Sequence, residues 1–139
     1  MALSAARVQT RQNNPDLAEV LMKVSTTVYQ GGGVMYDANG LAVPAADTAG
    51  CFSCGVAMET KTSPATGDTL VSVATSGTFR FKANGGAASA ATWNGVRVYW
   101  VDDETVDLVA VATNAVVAGV CVRVIDANTV DVALTNAAS

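Results

Sequence analysis

The most constraining feature of the sequence is an alternation of apolar and polar side chains, in runs too short for long helices. It is clearest at Thr78-Phe79-Arg80-Phe81-Lys82, where the two phenylalanines alternate with two cations. Successive side chains of a β-strand point to opposite faces of the sheet. We therefore expect a strand here, with Phe79 and Phe81 directed inward.

Similar β-type runs recur along the chain, separated by residues that favour turns. The predicted runs are residues 20–29, 34–36, 51–58, 69–75, 78–82, 96–101, 106–112, 116–125 and 129–134. Three turn signals between them, Asn39-Gly40, Ser76-Gly77 and residues 126–128, each predict a hairpin. We expect hairpins, rather than crossovers, to connect most neighbouring strands.

These patterns predict an all-β fold, a single small β-barrel or β-sandwich of short antiparallel strands over residues 17–139. Residues 1–16 are polar and follow neither a helical nor a strand period, so we expect an extended N-terminal arm. Residues 17–23 also fit one or two helical turns, with Asp16 as a cap. Residues 83–94 are rich in small side chains, and we interpret them as a surface loop.

The composition of the chain limits which classes of binding partner are expected. Hydrophobic residues make up 50% of the chain, and 12 acidic residues face 8 basic ones with no basic cluster, which argues against nucleic acid as a partner. Apolar runs fall short of the ~20 residues that cross a bilayer, so no membrane association is predicted. The first residues lack a signal-peptide apolar block, so we expect synthesis in the cytoplasm.

The side chains that support most enzyme mechanisms are missing from the sequence. It contains no histidine, which excludes Ser-His-Asp and Cys-His catalysis and the HExxH zinc site. The pair Cys51 and Cys54 has redox or zinc spacing, but on a strand residues three apart point to opposite faces. With Cys121 they are expected to be free structural thiols. The sequence predicts a non-enzymatic protein with no cofactor.

Two further motifs have structural explanations. The run Gly31-Gly32-Gly33 lacks the Lys-Ser/Thr ending of a phosphate loop, and we interpret it as a flexible turn. The acids from Asp102 to Asp107 suit a plain turn better than a calcium site, since the EF-hand pattern is missing. Trp100 is predicted to lie in the core. Tyr29, Tyr36, Trp93 and Tyr99 are candidate interface aromatics, which binding hot spots favour.

Read in order, the short motifs of the chain resemble those of bacteriophage head decoration, or capsid cement, proteins. The blocks are Val28-Tyr29-Gln30-Gly31, Tyr36-Asp37-Ala38-Asn39-Gly40, Val43-Pro44-Ala45-Ala46, Gly55-Val56-Ala57, Ser76-Gly77-Thr78-Phe79, Gly95-Val96-Arg97-Val98-Tyr99-Trp100-Val101-Asp102-Asp103 and Ala118-Gly119-Val120. The resemblance covers about residues 26–134 and depends on the order of the blocks. The N-terminal arm departs from the family pattern.

The resemblance implies a structural virion protein on the outer capsid surface, over junctions between major capsid protein subunits. Its partners would be the major capsid protein and itself, as a homotrimer or in some phages a dimer, and the family has no catalytic residues. Candidate contacts are Arg7, Arg11, Tyr29, Tyr36, Trp93 and Tyr99. The alternatives are a self-assembling tail-tube or head-fibre subunit, or a carbohydrate-binding module using Trp93, Tyr99 and the acids from Asp102 to Asp107.

Overall fold

A computed structural model describes residues 17–65, 69–108 and 116–134 of the chain. In this part almost all regular structure is strand, which confirms the predicted all-β fold. The strands are β1 Leu17–Leu21, β2 Thr26–Val28, β3 Gly33–Tyr36, β4 Ala42–Pro44, β5 Phe52–Ala57, β6 Lys61–Ser63, β7 Leu70–Ala74, β8 Thr78–Ala83, β9 Arg97–Trp100, β10 Thr105–Asp107, β11 Val117–Asp126 and β12 Thr129–Leu134.

The strands form an open sheet, a closed barrel and a small two-stranded sheet. The open sheet has the order β1-β7-β5-β3-β4, the barrel has the order β10-β8-β12-β11-β9, and β2 pairs with β6. The parallel pair β10–β8 closes the barrel, whereas the other strand pairs are antiparallel. Past the end of β1, Met22 makes an isolated parallel bridge to Ala42, so that one end of β1 reaches β4.

Strands β3 and β5 of the open sheet contribute to two hydrophobic cores. Val34 of β3 lies in the core of the open sheet, with Val20, Met22, Val71 and Val73. Its neighbour Met35 lies instead in the barrel core. Adjacent strand residues point to opposite faces, so a strand buried on both faces must be apolar throughout. The valine-rich composition therefore supplies one continuous interior rather than one buried face.

Trp100 of β9 links the two cores. Its side chain is fully buried, and its Nε1 donates a hydrogen bond to Ser53 Oγ of the open sheet at 3.2 Å. The ring of Phe81 meets its indole edge to face, with centroids 4.9 Å apart. A Cβ at Gly33 of β3 would overlap the same indole. The predicted core position of Trp100 is confirmed, and Gly33 provides the space that it fills.

Two of the three predicted hairpins form. Chain segments β3 and β4 pair across Asp37–Gly40, where Gly40 has a φ of +79° and Asp37 Oδ1 accepts the N–H groups of Asn39 and Leu41. Asn39 has no positive φ, so within this turn Gly40 alone takes the left-handed conformation. Strands β11 and β12 pair across residues 126–128 as predicted.

The third predicted hairpin, at Ser76-Gly77, is wrong. Strand β7 belongs to the open sheet, whereas β8 belongs to the barrel, so this turn is a crossover. Gly77 has a φ of +110°, and its carbonyl accepts the N–H of Leu134 at 2.9 Å. The turn is thus anchored on the barrel. Turn chemistry indicates a reversal of chain direction, but it does not specify which strands then pair.

Three local predictions also need correction. The predicted run 20–29 is divided at Ser25, which has a φ of +57°, and the helical alternative for residues 17–23 is wrong because β1 pairs with β7. Residues 83–94 hold a 3₁₀ turn at Asn84–Gly86 and a helix at Ala90–Trp93. This helix, α1, buries Trp93, so the segment is more than a surface loop. The end of the predicted run 106–112 lies outside the described residues.

Within the described ranges, no helix has the length and hydrophobicity needed to cross a membrane. The inward orientation predicted for β8 is confirmed. Phe81 is buried and Phe79 packs against the barrel core, while Arg80 pairs with Asp131 at 2.9 Å and Lys82 with Glu104 at 3.1 Å on the outside.

The junction at Trp100 yields a stability prediction. Replacing Gly33→Ala forces a methyl group against the indole, and overpacking of this kind costs about 1–3 kcal/mol. The control is Gly31→Ala, since Gly31 has a φ of +85° but open space around its Cβ position, and its cost of about 1 kcal/mol reflects backbone conformation alone. Denaturant unfolding measures both. Equal losses would contradict the steric role of Trp100.

Candidate interaction surface

The structure does not gather the predicted contact residues into one site. Tyr29 follows β2 and is 60% exposed, whereas Tyr36 and Tyr99 are half-buried on β3 and β9. Tyr99 is opposite Asp107 and Val117 on neighbouring barrel strands. Arg7 and Arg11 lie outside the described residues. Of the predicted aromatic anchors, Tyr29 is the most accessible.

The assignment of Trp93 as a contact residue is contradicted by its burial. Its side chain is 2% exposed and belongs to the barrel core. The reason is local, because α1 begins after Ser89 and turns the chain so that Trp93 packs against the barrel instead of extending along a loop. A residue this deeply buried cannot contact a partner without unfolding α1.

Tyr36 is held by the interior of the open sheet. Its hydroxyl hydrogen-bonds with the Cys54 thiol. This hydrogen bond, partial burial of the phenol and the negative charge of the Cys54 thiolate form together raise the pKa of Tyr36 to about 12. A phenol that keeps its proton and is bonded to a core thiol has little freedom to adapt to a partner. We assign Tyr36 a structural role.

The three cysteines are free, as the sequence predicted. Cys54 lies in the core of the open sheet, while Cys51 packs against the barrel core and Cys121 is buried within it. Burial is the main cause that raises the thiol pKa at all three positions. Raised thiol pKa values disfavour the reactive thiolate at neutral pH.

Tyr29 borders a shallow open groove at the junction of the open sheet and the barrel. The groove is lined by Tyr29, Gln30, Gly31, Gly32, Asp103 and Glu104. Burial, followed by the nearby charge of Asp102, raises the pKa of Asp103 above its usual range. The groove therefore combines an exposed aromatic ring with a carboxylate in an unfavourable electrostatic environment.

The glycine run that borders the groove forms a turn, as predicted, and its backbone hydrogen-bonds to neighbouring segments. The flexibility of this turn stays a prediction. Gly31 donates its N–H to the Ala57 carbonyl at 2.8 Å, and Gly33 donates to the Asp103 carbonyl at 2.7 Å. At Gly32 a Cβ would lie 3.1 Å from the Tyr29 carbonyl. The run allows β3 to approach the β9–β10 turn closely.

The acids from Asp102 to Asp107 do not form a shared site. Asp102 Oδ1 accepts the N–H of Glu104, Glu104 pairs with Lys82, and Asp107 accepts from the Asn84 amide at 2.9 Å. Across the described ranges, no group of three His, Cys, Asp or Glu side chains is arranged to hold a metal ion. These acids stabilise turns, each through a separate hydrogen bond.

A second exposed surface, which we call the β1 patch, was missed by sequence reasoning. It comprises Leu17, Glu19 and Leu21 of β1 with Leu70 of β7 and Met58, which follows β5. Leu21 is directly opposite Leu70, and Met58 hydrogen-bonds to Ser72, which in turn is opposite Glu19. The four apolar side chains are 36–47% exposed. The patch is therefore an apolar surface surrounding one carboxylate.

A signal for this patch was present in the sequence. In the segment Leu17-Ala18-Glu19-Val20-Leu21, apolar residues occupy both strand faces and only Glu19 is charged. A strand with one solvated face normally alternates strictly. Leucines on the second face indicate either a strand covered on both sides or an exposed apolar surface, and the structure shows the latter.

Comparison with known proteins gives no assignment, since neither a protein-family model, nor a curated protein, nor a solved structure matches the chain. The functional argument therefore depends on the motifs and surfaces of the molecule itself.

The raised pKa of Asp103 predicts a pH-dependent effect on stability. The folded protein binds the Asp103 proton more tightly than the unfolded chain, so its ionisation lowers stability as pH rises through the unfolded pKa towards the folded one. Asp103→Asn should therefore raise the melting temperature at neutral pH. The gain in the free energy of unfolding should be less than about 1 kcal/mol, because the Asp103 side chain is partly exposed. The gain should disappear at pH values below the unfolded pKa.

The control for this measurement is Asp131→Asn, which removes the 2.9 Å ion pair with Arg80. That change should lower the melting temperature at neutral pH, opposite in sign to Asp103→Asn. Thermal unfolding of the three proteins over a pH series distinguishes the two effects. A loss of stability in Asp103→Asn at neutral pH would show that hydrogen bonding of this carboxylate outweighs its electrostatic cost.

Proposed function

We propose that the protein is a structural component of a tailed-phage virion, which binds the outer capsid surface at junctions between major capsid protein subunits and stabilises the shell. The observation that carries the proposal is the order of sequence motifs shared with capsid decoration proteins. Several of those motifs set the backbone of this fold. Gly55 and Gly119, for example, each face a carbonyl of a neighbouring strand so closely that a Cβ would overlap it.

The accessible surfaces support a binding role. Tyr29 and the β1 patch leave aromatic and aliphatic side chains exposed, and such side chains contribute much of the energy at protein interfaces. Residues 17–139 contain six basic and eleven acidic residues, which favours a protein partner over nucleic acid. Each subunit contact can be small, because a shell repeats it many times.

A second candidate function is self-assembly into a tail tube or head fibre. The observation that favours it is the outer edge of β1, with which no strand of the described residues pairs before the bridge at Met22, since exposed edges template strand addition. A carbohydrate-binding role has less support, because Trp93 is buried and the acids from Asp102 to Asp107 are engaged in separate turns.

The decisive experiment mixes purified protein with undecorated, expanded heads, followed by sedimentation and electron cryomicroscopy. We expect regular density over subunit junctions. Protein that forms filaments without heads would support the tail or fibre alternative, and protein that neither binds heads nor polymerises would contradict both structural roles.

A variant without residues 1–14 tests the predicted N-terminal arm in the same experiment. We expect weaker head binding with the fold left intact, because every described strand begins at Leu17 or later. Tyr29→Ser provides a matched test of the body surface, since its ring is 60% exposed and its loss should not alter the fold. Head binding by the truncated protein as tight as by the full chain would exclude a clamping role for the arm.

A further inference from the structure

The outer edge of β1 has unpaired backbone groups. Met22 donates its N–H to the Thr69 carbonyl at 2.8 Å on the β7 side. Alternate residues of an antiparallel strand present their N–H and C=O groups to opposite sides. Leu17 and Glu19 therefore direct theirs away from β7. Among the described residues no strand pairs with this edge before the bridge at Met22.

The side chains along this edge restrict what can pair with it. Glu19 is exposed between Leu17 and Leu21, and it makes no ion pair with any described residue. Nearby, Glu59 Oε2 accepts the N–H of Ser72 at 3.0 Å and the Glu59 carboxylate pairs with Lys61 at 3.7 Å, so Glu19 is the carboxylate left without an ion pair on this part of the described surface. An added strand gains most if it places a cation opposite Glu19.

Pairing of one β1 edge with the same edge of a second copy is unfavourable. Two antiparallel β1 strands in the centred register would put Glu19 directly opposite Glu19 of the other copy. Like charges directly opposite each other destabilise a sheet. Charged residues on edge strands commonly prevent self-pairing for this reason. Self-pairing in the centred register is therefore disfavoured, which favours a different segment as the occupant of the edge.

The N-terminal segment of the chain has matching chemistry. Residues 1–16 contain Arg7 and Arg11 and one acid, Asp16, whereas residues 17–139 are strongly acidic. Residues 5–14 lack Gly and Pro, so they can adopt an extended conformation and donate their backbone N–H groups to the carbonyls of a neighbouring strand. At roughly 3.3 Å per extended residue, the segment reaches about 50 Å from Leu17. That reach exceeds the diameter of roughly 35 Å expected for a compact domain of this size.

Pro15 disfavours pairing of this segment with β1 of its own copy. A hairpin onto β1 needs a tight reversal across residues 13–16, yet proline keeps Asn14 out of the helical region that most such loops use. A two-residue turn at Pro15-Asp16 would be of type I, whose twist separates the strands. The edge of a neighbouring copy requires no reversal.

We propose that residues 5–12 of one copy pair along the free edge of β1 of a neighbouring copy, with Arg7 or Arg11 against Glu19. Exchange of these segments around a closed ring joins the copies. Each copy donates one segment and accepts one, which leaves no free edge in a closed ring, whereas a rotation that did not close would give a filament. The inference goes beyond capsid binding and is tested without heads.

The test measures the self-association of the full-length protein by sedimentation velocity and light scattering over a range of concentrations. The wild type should form a discrete oligomer. Glu19→Arg, or Arg7→Glu with Arg11→Glu, should each weaken association roughly tenfold or more, because like charges meet in the interface. Combining all three substitutions should restore most of the association.

The control is Glu104→Arg, which makes the same charge change beside the Tyr29 groove; it also breaks the ion pair with Lys82, so its folding is checked in the same way as that of the other variants. It should leave association unchanged, and weakening by this control alone would place the arginines in the groove and overturn the proposal. A wild type that is monomeric at every concentration, or a failure of the combined variant to recover, would also overturn it.

Folding of the variants is checked by thermal unfolding. Glu19 is exposed and without an ion-pair partner in the described part, so Glu19→Arg should melt near the wild-type temperature. If it does not, Glu19→Gln decides, because it keeps the side-chain size and removes the charge. We expect Glu19→Gln to weaken association several-fold, and unchanged association in that variant would reject the pairing.

Discussion

The contact of Trp100 with Gly33 and Ser53 is the constraint on which the rest of the structure depends. The barrel core contains Trp100, the largest of the fully buried side chains in the described residues. Its N–H would be costly to bury without a partner. Ser53 of the open sheet supplies that partner, so the barrel interior is satisfied only when the sheet is in place.

This dependence explains why one chain of modest size holds two sheet systems together. Met35 and Val56 lie in the barrel core, although they belong to strands of the open sheet. Their neighbours Val34 and Ala57 lie in the core of the open sheet. Strands β3 and β5 are thus shared walls. The glycine at position 33 is a consequence, since a Cβ on this shared wall would overlap the Trp100 indole of the barrel.

The sequence was sufficient for the fold class, for the inward orientation of Phe81 and Trp100, and for two hairpins, because each depends on local alternation or turn chemistry. It was insufficient for the crossover at Gly77, where the partner of β8 is β12, far along the chain. Trp93 was misassigned because four helical residues set its direction. Glycine at position 33 looked flexible, since the indole that requires it is distant in sequence.

The binding surfaces were the hardest part to predict, for a physical reason. A buried strand face is recognisable in the sequence as a periodic pattern of apolar residues. An exposed apolar residue at a sheet edge gives the same pattern, because the two cases differ only in whether another segment covers the residue. The arrangement of Leu17 and Leu21 on either side of Glu19, on one face of the strand, is also compatible with a strand that is covered on that face. What makes it a surface is that β7 lies on one side and the chain provides no described strand on the other. A closed barrel and a charged edge both limit uncontrolled assembly. This fold has the closed barrel of β8 to β12 and the charged edge at Glu19 of β1. Pairing at this edge would then favour a segment whose charge complements Glu19, which distinguishes specific assembly from uncontrolled aggregation.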